Sequence, residues 1–402
     1  MTDELMVREP SHATLHTAAR ATRVLLLIDH LGSGGAQAIL ADIVSMADRG
    51  RFQFVVGYYF GSSMYTERLR EAGAQVLHLG AGGGKLTAWL HALVPARLVR
   101  LVRSFEPDVV HVHTHTAPVV HTLLARLVHS RARTVFTMHA NLWQLGSRWQ
   151  RYLRCTLPRF DRVVTEFDGS DAEVAELRVP RTAVRHIAFG ARVRAVSSDR
   201  VAAVRERCGA GQGDLLLVSV ARLSPDRLLD RFIRAMPYIR ASIPGTRLAL
   251  VGDGTAEPEL RALVADLGLE ECVRFLGRAE DPMPYFHAAD IYLTMSVARS
   301  CEVGIAGWQA MLCGAPVLAI EPESDGAATE WPACGFLRKV WHPDDLVPEL
   351  VSLLGDRGPR ESLAAAGRRH AELHQSSEAM VEAYYRLYED LSGGHALRTD
   401  QP

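Results

Sequence analysis

Residues that could bind an anion stand directly after the first apolar run of this sequence. The run Val24–Ile28 is followed by the glycine-rich turn Gly32–Gln37, after which a helical pattern begins. The free N–H groups at the start of a helix bind anions, so this turn is a candidate site for a phosphate or a carboxylate. A tight turn without a ligand is the alternative, because one glycine-rich turn is weak evidence by itself.

Four histidines close two further apolar runs and could move protons or bind a metal. His111, His113 and His115 alternate along the end of one predicted strand, which places all three on the same face. A metal cluster is one interpretation, but the stretch from His111 to His115 contains no acidic residue, and a packed, hydrogen-bonded role for His111 is favoured. His139 closes the next run, where a satisfied surface histidine is the alternative to a functional one.

Two arginines, Arg222 and Arg227, follow the first apolar run of the second half of the chain, Leu215–Val220. Arginine suits rigid, two-pronged contacts with phosphate oxygens. Two ordinary surface arginines are the alternative, because the basic residues are almost all arginine. Lys85 and Lys339 are the only lysines among 45 basic residues. This bias, together with abundant alanine, indicates GC-rich coding and an actinobacterial source.

Composition restricts the class of protein. The 402 residues suffice for two domains with full cores, and a net charge of −1 argues against a nucleic-acid partner. The six cysteines show no C-x-x-C spacing, which argues against a zinc site or a disulfide framework and for a reducing cytoplasm. No apolar run is long enough to span a bilayer, and residues 1–20 are predicted to form a disordered tail.

The elements that must position these residues alternate between strand and helix, which predicts parallel sheets covered on both faces. The pattern restarts after the stretch Ala191–Arg200. We therefore predict two doubly wound, Rossmann-like domains at 21–195 and 200–372, with a helix at 376–395 that crosses back to the first. The predicted strands are Val24–Ile28, Phe52–Tyr58, Gln75–His78, Val109–His113, Thr134–Met138, Leu215–Val220, Arg247–Val251, Val273–Leu276, Ile291–Met295 and Pro316–Ile320.

One predicted helix within Leu86–Phe105 carries arginines among leucines and valines. Such a helix could dock on a membrane, but Pro95 interrupts the pattern, and packing on its own sheet is the favoured interpretation.

The stretch Ser300–Pro316, SCEVGIAGWQAMLCGAP, resembles the sugar-binding loop and helix of retaining, nucleotide-sugar-dependent glycosyltransferases of the family-4 type. Gly304, Gly314 and Pro316 fit the family pattern. Cys301 and Gln309 stand where the family has two glutamates, and one glutamate is displaced to Glu302. Further similar motifs are the turn after Val24–Ile28, the segments Ala221–Arg227, Val251–Gly254 and Phe275–Gly277, and the histidines at 113 and 139.

The resemblance extends over about residues 22 to 390 and implies a GT-B fold, with the two domains facing across a cleft. It implies transfer of a sugar from a nucleotide-diphosphate donor, UDP or GDP, with retention of configuration and without a metal or other cofactor. The acceptor implied here is a small molecule in specialised metabolism such as antibiotic biosynthesis. This choice rests on the GC-rich source and the altered sugar site. The segments VTEFDGS (164–170) and AFGAR (188–192) are where the acceptor half departs from the family.

The resemblance also implies roles for individual residues. Arg222 and Arg227 stabilise the leaving diphosphate, Leu228 takes the place of a family glycine, and Gln309 holds the ribose through its amide. The catalytic set is His139, Arg222, Arg227 and Glu302. The donor-binding set is Gly34, Gly35, Gly252, Gly277, Arg278, Cys301, Val303, Gly304, Ile305 and Gln309. The acceptor-side set is His113, Phe189 and Gly190.

Three interpretations of the altered sugar site stay open: an uncommon donor sugar, replacement of the missing carboxylate by Glu302, or a degenerate site that only binds. For the whole chain, a non-hydrolysing sugar-nucleotide epimerase and a nucleotide-sugar-binding pseudoenzyme are the alternatives to a transferase.

Overall fold

A computed structural model of the chain describes residues 20–32, 34–61, 64–80, 94–114, 119, 131–139, 145–166, 174–295, 303–320, 336–338 and 343–393. These residues form two parallel sheets with helices on both faces. The strands of the first sheet are β1 (Thr22–Ile28), β2 (Phe52–Tyr58), β3 (Gln75–His78), β4 (Val109–Val112), β5 (Arg133–Met138), β6 (Arg162–Thr165) and β7 (Val184–His186). Those of the second are β8 (Leu215–Val220), β9 (Thr246–Val251), β10 (Val273–Phe275), β11 (Ile291–Met295), β12 (Val317–Ile320) and β13 (Phe336–Arg338).

Twelve α-helices in the described part of the chain connect or cover these strands. They are α1 (Gly35–Ser45), α2 (Thr66–Glu71), α3 (Val94–Phe105), α4 (Ser147–Thr156), α5 (Ser198–Arg207), α6 (Leu229–Ser242), α7 (Glu257–Asp266), α8 (Met283–Ala288), α9 (Gly304–Leu312), α10 (Pro343–Gly355), α11 (Arg357–His374) and α12 (Ser377–Ser392).

The strand order indicates where a ligand is expected at each sheet. The orders are β3-β2-β1-β4-β5-β6-β7 and β10-β9-β8-β11-β12-β13. In each sheet the order reverses between the first strand and the fourth, at β1/β4 and at β8/β11. Ligands of open parallel sheets bind beyond the carboxyl ends of the strands at such a reversal. The prediction of two doubly wound domains is confirmed.

Alternation along the strands buries both faces of each sheet. In β1, Val24, Leu26 and Ile28 point into one apolar cluster, while Leu25 and Leu27 point into another that also contains residues of α3 and α4. The ten predicted strands are all present. The sequence prediction omitted β6, β7 and β13, which have three or four residues each.

The last helix, α12, crosses back from the second sheet to pack on the first. It contacts α1, β1 and β4, and its tyrosines Tyr384, Tyr385 and Tyr388 are buried there. The Ser376 hydroxyl accepts a hydrogen bond from the Ala379 N–H at the start of the helix. The domain boundaries themselves stay predictions, and residues 1–19 of the predicted tail lie outside the described residues.

The helix considered for membrane docking is packed on the first sheet. Leu98 and Val102 of α3 are buried, and the Arg97 guanidinium donates to the carbonyls of Leu79 and Gly80. Pro95 lies in the first turn of α3, where a proline is tolerated. None of the helices in the described ranges is long and apolar enough to cross a bilayer.

Candidate active site

Three side chains meet beyond the carboxyl ends of neighbouring strands of the first sheet. His113 follows β4, His139 follows β5 and Glu166 follows β6. His139 Nδ1 lies 2.7 Å from a carboxylate oxygen of Glu166, and its Nε2 lies 3.1 Å from His113 Nδ1. The rings of His113 and His139 are stacked, with centroids 5.3 Å apart. The sheet therefore joins the two predicted histidines into one unit with a carboxylate.

Burial keeps the innermost histidines of this region neutral. His111 and His113 are completely buried, and burial, with the neighbouring histidines, lowers the pKa of each well below the usual 6.5. His113 Nε2 and Glu166 Oε1 are two of the twelve buried side-chain atoms that have no hydrogen-bond partner among the described residues. These two atoms belong to the two ends of the hydrogen-bonded unit.

His111 has the packed, hydrogen-bonded role that was predicted. Its Nδ1 lies 2.6 Å from the Tyr388 hydroxyl and its Nε2 lies 2.7 Å from the Thr137 hydroxyl. Thr137 also contacts the hydroxyl of Tyr384 at 3.1 Å. Both tyrosines belong to α12, so this helix contacts β4 and β5 directly beneath the site. No group of three histidine, cysteine or acidic side chains suited to a metal occurs in the described ranges.

The glycine-rich turn after β1 reaches the second domain. A side chain at Gly35 would come within 3.0 Å of the Ile305 side chain, which belongs to α9 of the second sheet. The turn itself is braced by the Gly32 N–H, which donates to His30 Nδ1 at 3.1 Å. Gly34, Gly35 and Ile305, three predicted donor-binding residues, therefore lie at one contact between the domains.

Backbone hydrogen bonds hold the three turns of the second sheet together. The Ala221 N–H donates to Val251 O at 3.0 Å, and the Gly252 N–H donates to Gly277 O at 2.8 Å. A side chain at Gly252 would meet the Ala221 carbonyl oxygen at 1.9 Å, so only glycine permits this approach. The structure thus brings Gly252 and Gly277 beside the segment that carries Arg222, while Arg278 is exposed at the end of the last turn.

Asp226 lies between the two predicted phosphate-binding arginines. Its carboxylate is 3.4 Å from Arg227 Nε and 4.0 Å from Arg222. The side chain of Arg222 is 71% exposed and that of Arg227 is 33% exposed. Partial burial lowers the pKa of Arg227, and the charge of Asp226 acts against this shift. For Asp226, burial acts to raise the pKa, but the Ser224 hydroxyl and both arginines outweigh it and lower the pKa.

The segment after these arginines keeps a glycine-like conformation without the glycine. Leu228, at the position of the family glycine, has φ 51° and ψ 32° and is the residue from which α6 starts. This left-handed conformation is costly for a leucine. Leu228 therefore carries backbone strain at the start of α6.

The start of α9 lies next to the contact between the domains. Gly304 has φ 66°, and Val303 and Gly304 begin a nine-residue helix whose free N–H groups can bind an anion. The Gln309 amide donates to the Arg192 carbonyl at 3.0 Å, so its nitrogen is engaged by the segment that joins the domains. Cys301 and Glu302 lie outside the described residues.

Two predicted acceptor-side residues have packing roles. Phe189 is buried in the core. A side chain at Gly190 would come within 2.4 Å of Ser377 Cα, because the chain passes there on its way into α12. The neighbouring Ala191 N–H donates to Gln375 O at 3.0 Å.

Sequence reasoning assigned no role to Glu166 and Asp226. Glu166 lies within the altered segment 164–170, but its contact with His139 depends on the pairing of β5 with a four-residue strand that the pattern did not reveal. Asp226 could have been found from its place beside Arg227, since a carboxylate next to two arginines is expected to pair with them.

The two halves of the chain match two glycosyltransferase families. Residues 17–190 match the family described as glycosyl transferase 4-like domain, and residues 214–356 match glycosyl transferases group 1.

Curated relatives are similar in part of their length. The chain is 35% identical over 188 residues to the GDP-mannose-dependent monoacylated alpha-(1-6)-phosphatidylinositol monomannoside mannosyltransferase of Corynebacterium glutamicum, which covers 45% of this chain and 48% of that protein. It is 22% identical over 300 residues to the N-acetyl-alpha-D-glucosaminyl L-malate synthase of Bacillus anthracis, covering 74% and 78%. The chain thus spans about half the length of the mannosyltransferase it matches.

Solved glycosyltransferase structures share the fold. HepE of Anabaena in complex with UDP and glucose superposes with a TM-score of 0.78 at 21% identity, over 92% of this chain and 100% of that chain. WaaG, a glycosyltransferase involved in lipopolysaccharide biosynthesis, gives a TM-score of 0.68 at 17% identity, over 91% and 99%. The predicted GT-B fold is confirmed.

Proposed function

Because residues 17–190 match a glycosyl transferase 4-like domain and residues 214–356 match glycosyl transferases group 1 on a GT-B fold, we propose that the chain transfers a sugar from a nucleoside-diphosphate donor to a small-molecule acceptor. The donor nucleotide is UDP or GDP. The sugar keeps its configuration, no metal or other cofactor takes part, and the reaction belongs to specialised metabolism in the cytoplasm.

The observation that supports this proposal most is the packing of three turns in the second domain. Backbone hydrogen bonds join the turns after β8, β9 and β10 at the carboxyl edge of the sheet. Arg222 and Arg227 extend from the first of these turns. In this proposal the two guanidinium groups bind the diphosphate, and their fixed charges stabilise the negative charge that gathers on it as the glycosidic bond breaks.

Helix α9 supplies the second anion contact of the proposed donor site. Its free N–H groups near Gly304 face the same edge, and Ile305 lies close to the turn at Gly35. The diphosphate would therefore lie between two helix starts, α1 and α9, and beside the two arginines. This arrangement supplies positive charge from protein groups alone.

A thermal-shift panel tests the donor class. The full chain is mixed separately with UDP, GDP, ADP and TDP in the presence of EDTA, and the midpoint of unfolding is compared with that of the chain alone. We expect UDP or GDP to raise the midpoint most, since a ligand that binds only the folded state stabilises it. A shift that requires added Mg²⁺ would contradict the metal-free site, and the absence of any shift would contradict the donor site.

A second candidate, a lipid-linked acceptor at a membrane surface, is favoured by one feature of α4. Trp149 is exposed between the exposed residues Arg148 and Arg151, a combination that suits an anionic interface. The mannosyltransferase relative also acts on a phosphatidylinositol mannoside. Cosedimentation of the chain with phosphatidylinositol vesicles, with phosphatidylcholine vesicles as the comparison, tests membrane docking. Loss of vesicle binding in Arg151→Glu supports docking through α4. No vesicle binding by the wild type excludes membrane docking.

A further inference from the structure

Glu166 is the carboxylate that the sequence left without a role, and its surroundings are unusual. Its side chain is 2% exposed, and within the described ranges the ion pair it can form is with His139. One oxygen lies 2.7 Å from His139 Nδ1, while the other is buried and has no hydrogen-bond partner among the described residues. A buried carboxylate with so few partners is costly to keep, which points to a specific use.

With Glu166 as an ionised carboxylate, the hydrogen bonds fit one tautomer of His139. An ionised carboxylate only accepts hydrogen bonds, so His139 Nδ1 must be the donor. In a neutral ring, His139 Nε2 then accepts a hydrogen bond from the N–H at His113 Nδ1. His113 Nε2 is consequently unprotonated, and its lone pair is buried. Glu166 and His113 together hold the ring of His139 at both nitrogens.

Two histidines and a tyrosine of the described part of the chain lie around the pair, and all three are neutral. His113 and His111 are on one side, and burial lowers the pKa of each well below its usual value. Tyr384 of α12 is on the other, where burial and the charge of Glu166 raise its pKa well above 10. The tautomer of His139 is therefore determined by Glu166 rather than by a competing charge.

We propose that Glu166 is a positioning residue for the sugar transfer: its carboxylate keeps the proton of His139 on Nδ1 and fixes the ring at the carboxyl edge of β5. The role in transfer rests on the proposed function, whereas the tautomer does not. A histidine without this partner would exchange between two tautomers and several ring orientations. Carboxylates that orient a functional histidine in this way are known as supporting groups in many sites.

The decisive variant is Glu166→Gln, which keeps the shape of the side chain but can present an amide N–H to His139. Nitrogen-15 spectra of histidine-labelled full chain report the tautomer without any activity, and His139→Gln assigns the signal. We expect the Nδ1-protonated form of His139 in the wild type and in the control Glu176→Gln, an exposed glutamate. In Glu166→Gln we expect a mixture of tautomers.

Kinetics supply the second readout. We expect Glu166→Gln to lower kcat for sugar transfer by about 10–100-fold, the usual loss for a supporting carboxylate, with KM for the nucleotide sugar within about 3-fold. In a His139→Ala background the same change should have no further effect, because the partner through which Glu166 acts is gone. Glu166→Asp, which keeps the charge, should retain the wild-type tautomer and serves if the amide variant fails to fold.

Two results would overturn the proposal. One is an Nε2-protonated His139 in the wild type, or a tautomer that Glu166→Gln leaves unchanged. The other is an equal loss of kcat from Glu166→Gln with and without His139. Failure of the proposed function is distinguishable from failure of this proposal. It would appear as no sugar transfer by the wild-type chain, whatever the histidine spectrum shows. Only the catalytic part of the proposal would then be removed.

Discussion

Arg227 is the single residue on which the proposed donor site depends most. Its guanidinium is more buried than that of Arg222, and a charge acts more strongly on a ligand where less water screens it. Asp226 neutralises part of the positive charge while no diphosphate is bound. The two arginines are therefore expected to contribute unequally, a difference that the sequence motif alone does not reveal.

We expect Arg227→Ala to lower turnover by at least about 100-fold, the scale of a lost charge partner in the transition state. Arg222→Ala should cost less, because its exposed side chain is screened by water. Steady-state kinetics with a saturating donor measure both. Arg234→Ala is the matched control, since Arg234 is an exposed arginine on α6 whose salt-bridge partner is Asp230, one turn away. Wild-type turnover in Arg227→Ala would show that the diphosphate binds elsewhere.

Gln309 connects the donor site with the segment between the domains. Its amide nitrogen is bound to the Arg192 carbonyl, so its oxygen remains to accept a hydrogen bond from a ribose hydroxyl. We expect Gln309→Ala to weaken binding of the preferred nucleoside diphosphate by about 1–2 kcal/mol. This is the contribution of a neutral hydrogen bond together with the cost of leaving the ribose hydroxyl unpaired. Isothermal titration calorimetry checks this, with the exposed Gln212→Ala as control. Equal affinity in both variants would exclude the ribose contact.

At the scale of elements, the loop from β8 to α6 holds a leucine in a conformation that favours glycine. Leu228 occupies the left-handed region at φ 51° and packs in part against the apolar cluster of the second sheet. Two effects therefore oppose each other at this position: backbone strain and side-chain contact. A pair of variants can separate them.

Leu228→Gly should be more stable than Leu228→Ala by about 1 kcal/mol, because both lose the leucine contacts but only alanine keeps the left-handed strain. Urea unfolding of the two variants gives the difference in the free energy of unfolding. If the alanine variant is equally stable or more stable, the left-handed conformation of residue 228 is not present in solution.

The elements show why the sequence predicted the fold well and the site only in part. Strands with long apolar runs, such as Val24–Ile28, were predicted correctly, since their signals are local. The pairing of His139 with Glu166 depends on a contact between β5 and β6 that no local pattern encodes. The packing roles of Phe189 and Gly190 likewise depend on where α12 crosses, which is a property of the whole chain.

At the scale of the molecule, buried histidines make folding sensitive to pH. His111 and His113 are neutral in the folded chain because burial depresses their pKa, whereas in the unfolded chain they take up protons below about pH 6.5. The unfolded state then binds more protons than the folded state. Their contribution to stability is therefore full above about pH 6.5 and is lost as the pH falls below it.

We expect the free energy of unfolding to fall by about 2–3 kcal/mol between pH 7.5 and pH 5.5 from these two residues together. Urea unfolding at the two pH values measures the loss. His113→Gln should show about half of it, while His374→Gln, which removes an exposed histidine of α11, should show nearly all of it. The same pH dependence in His113→Gln as in the wild type would mean that His113 is not buried and neutral.

The sugar-transfer reaction itself is the most direct test of the whole account. The full chain is incubated in EDTA with UDP- and GDP-hexoses and a panel of polyol and hydroxy-acid acceptors, and the products are identified by proton NMR and mass spectrometry. The account predicts a new glycoside with the anomeric configuration of the donor, formed together with the free nucleoside diphosphate. An epimerised nucleotide sugar without an acceptor, or an inverted product, or no reaction with any donor, would contradict it.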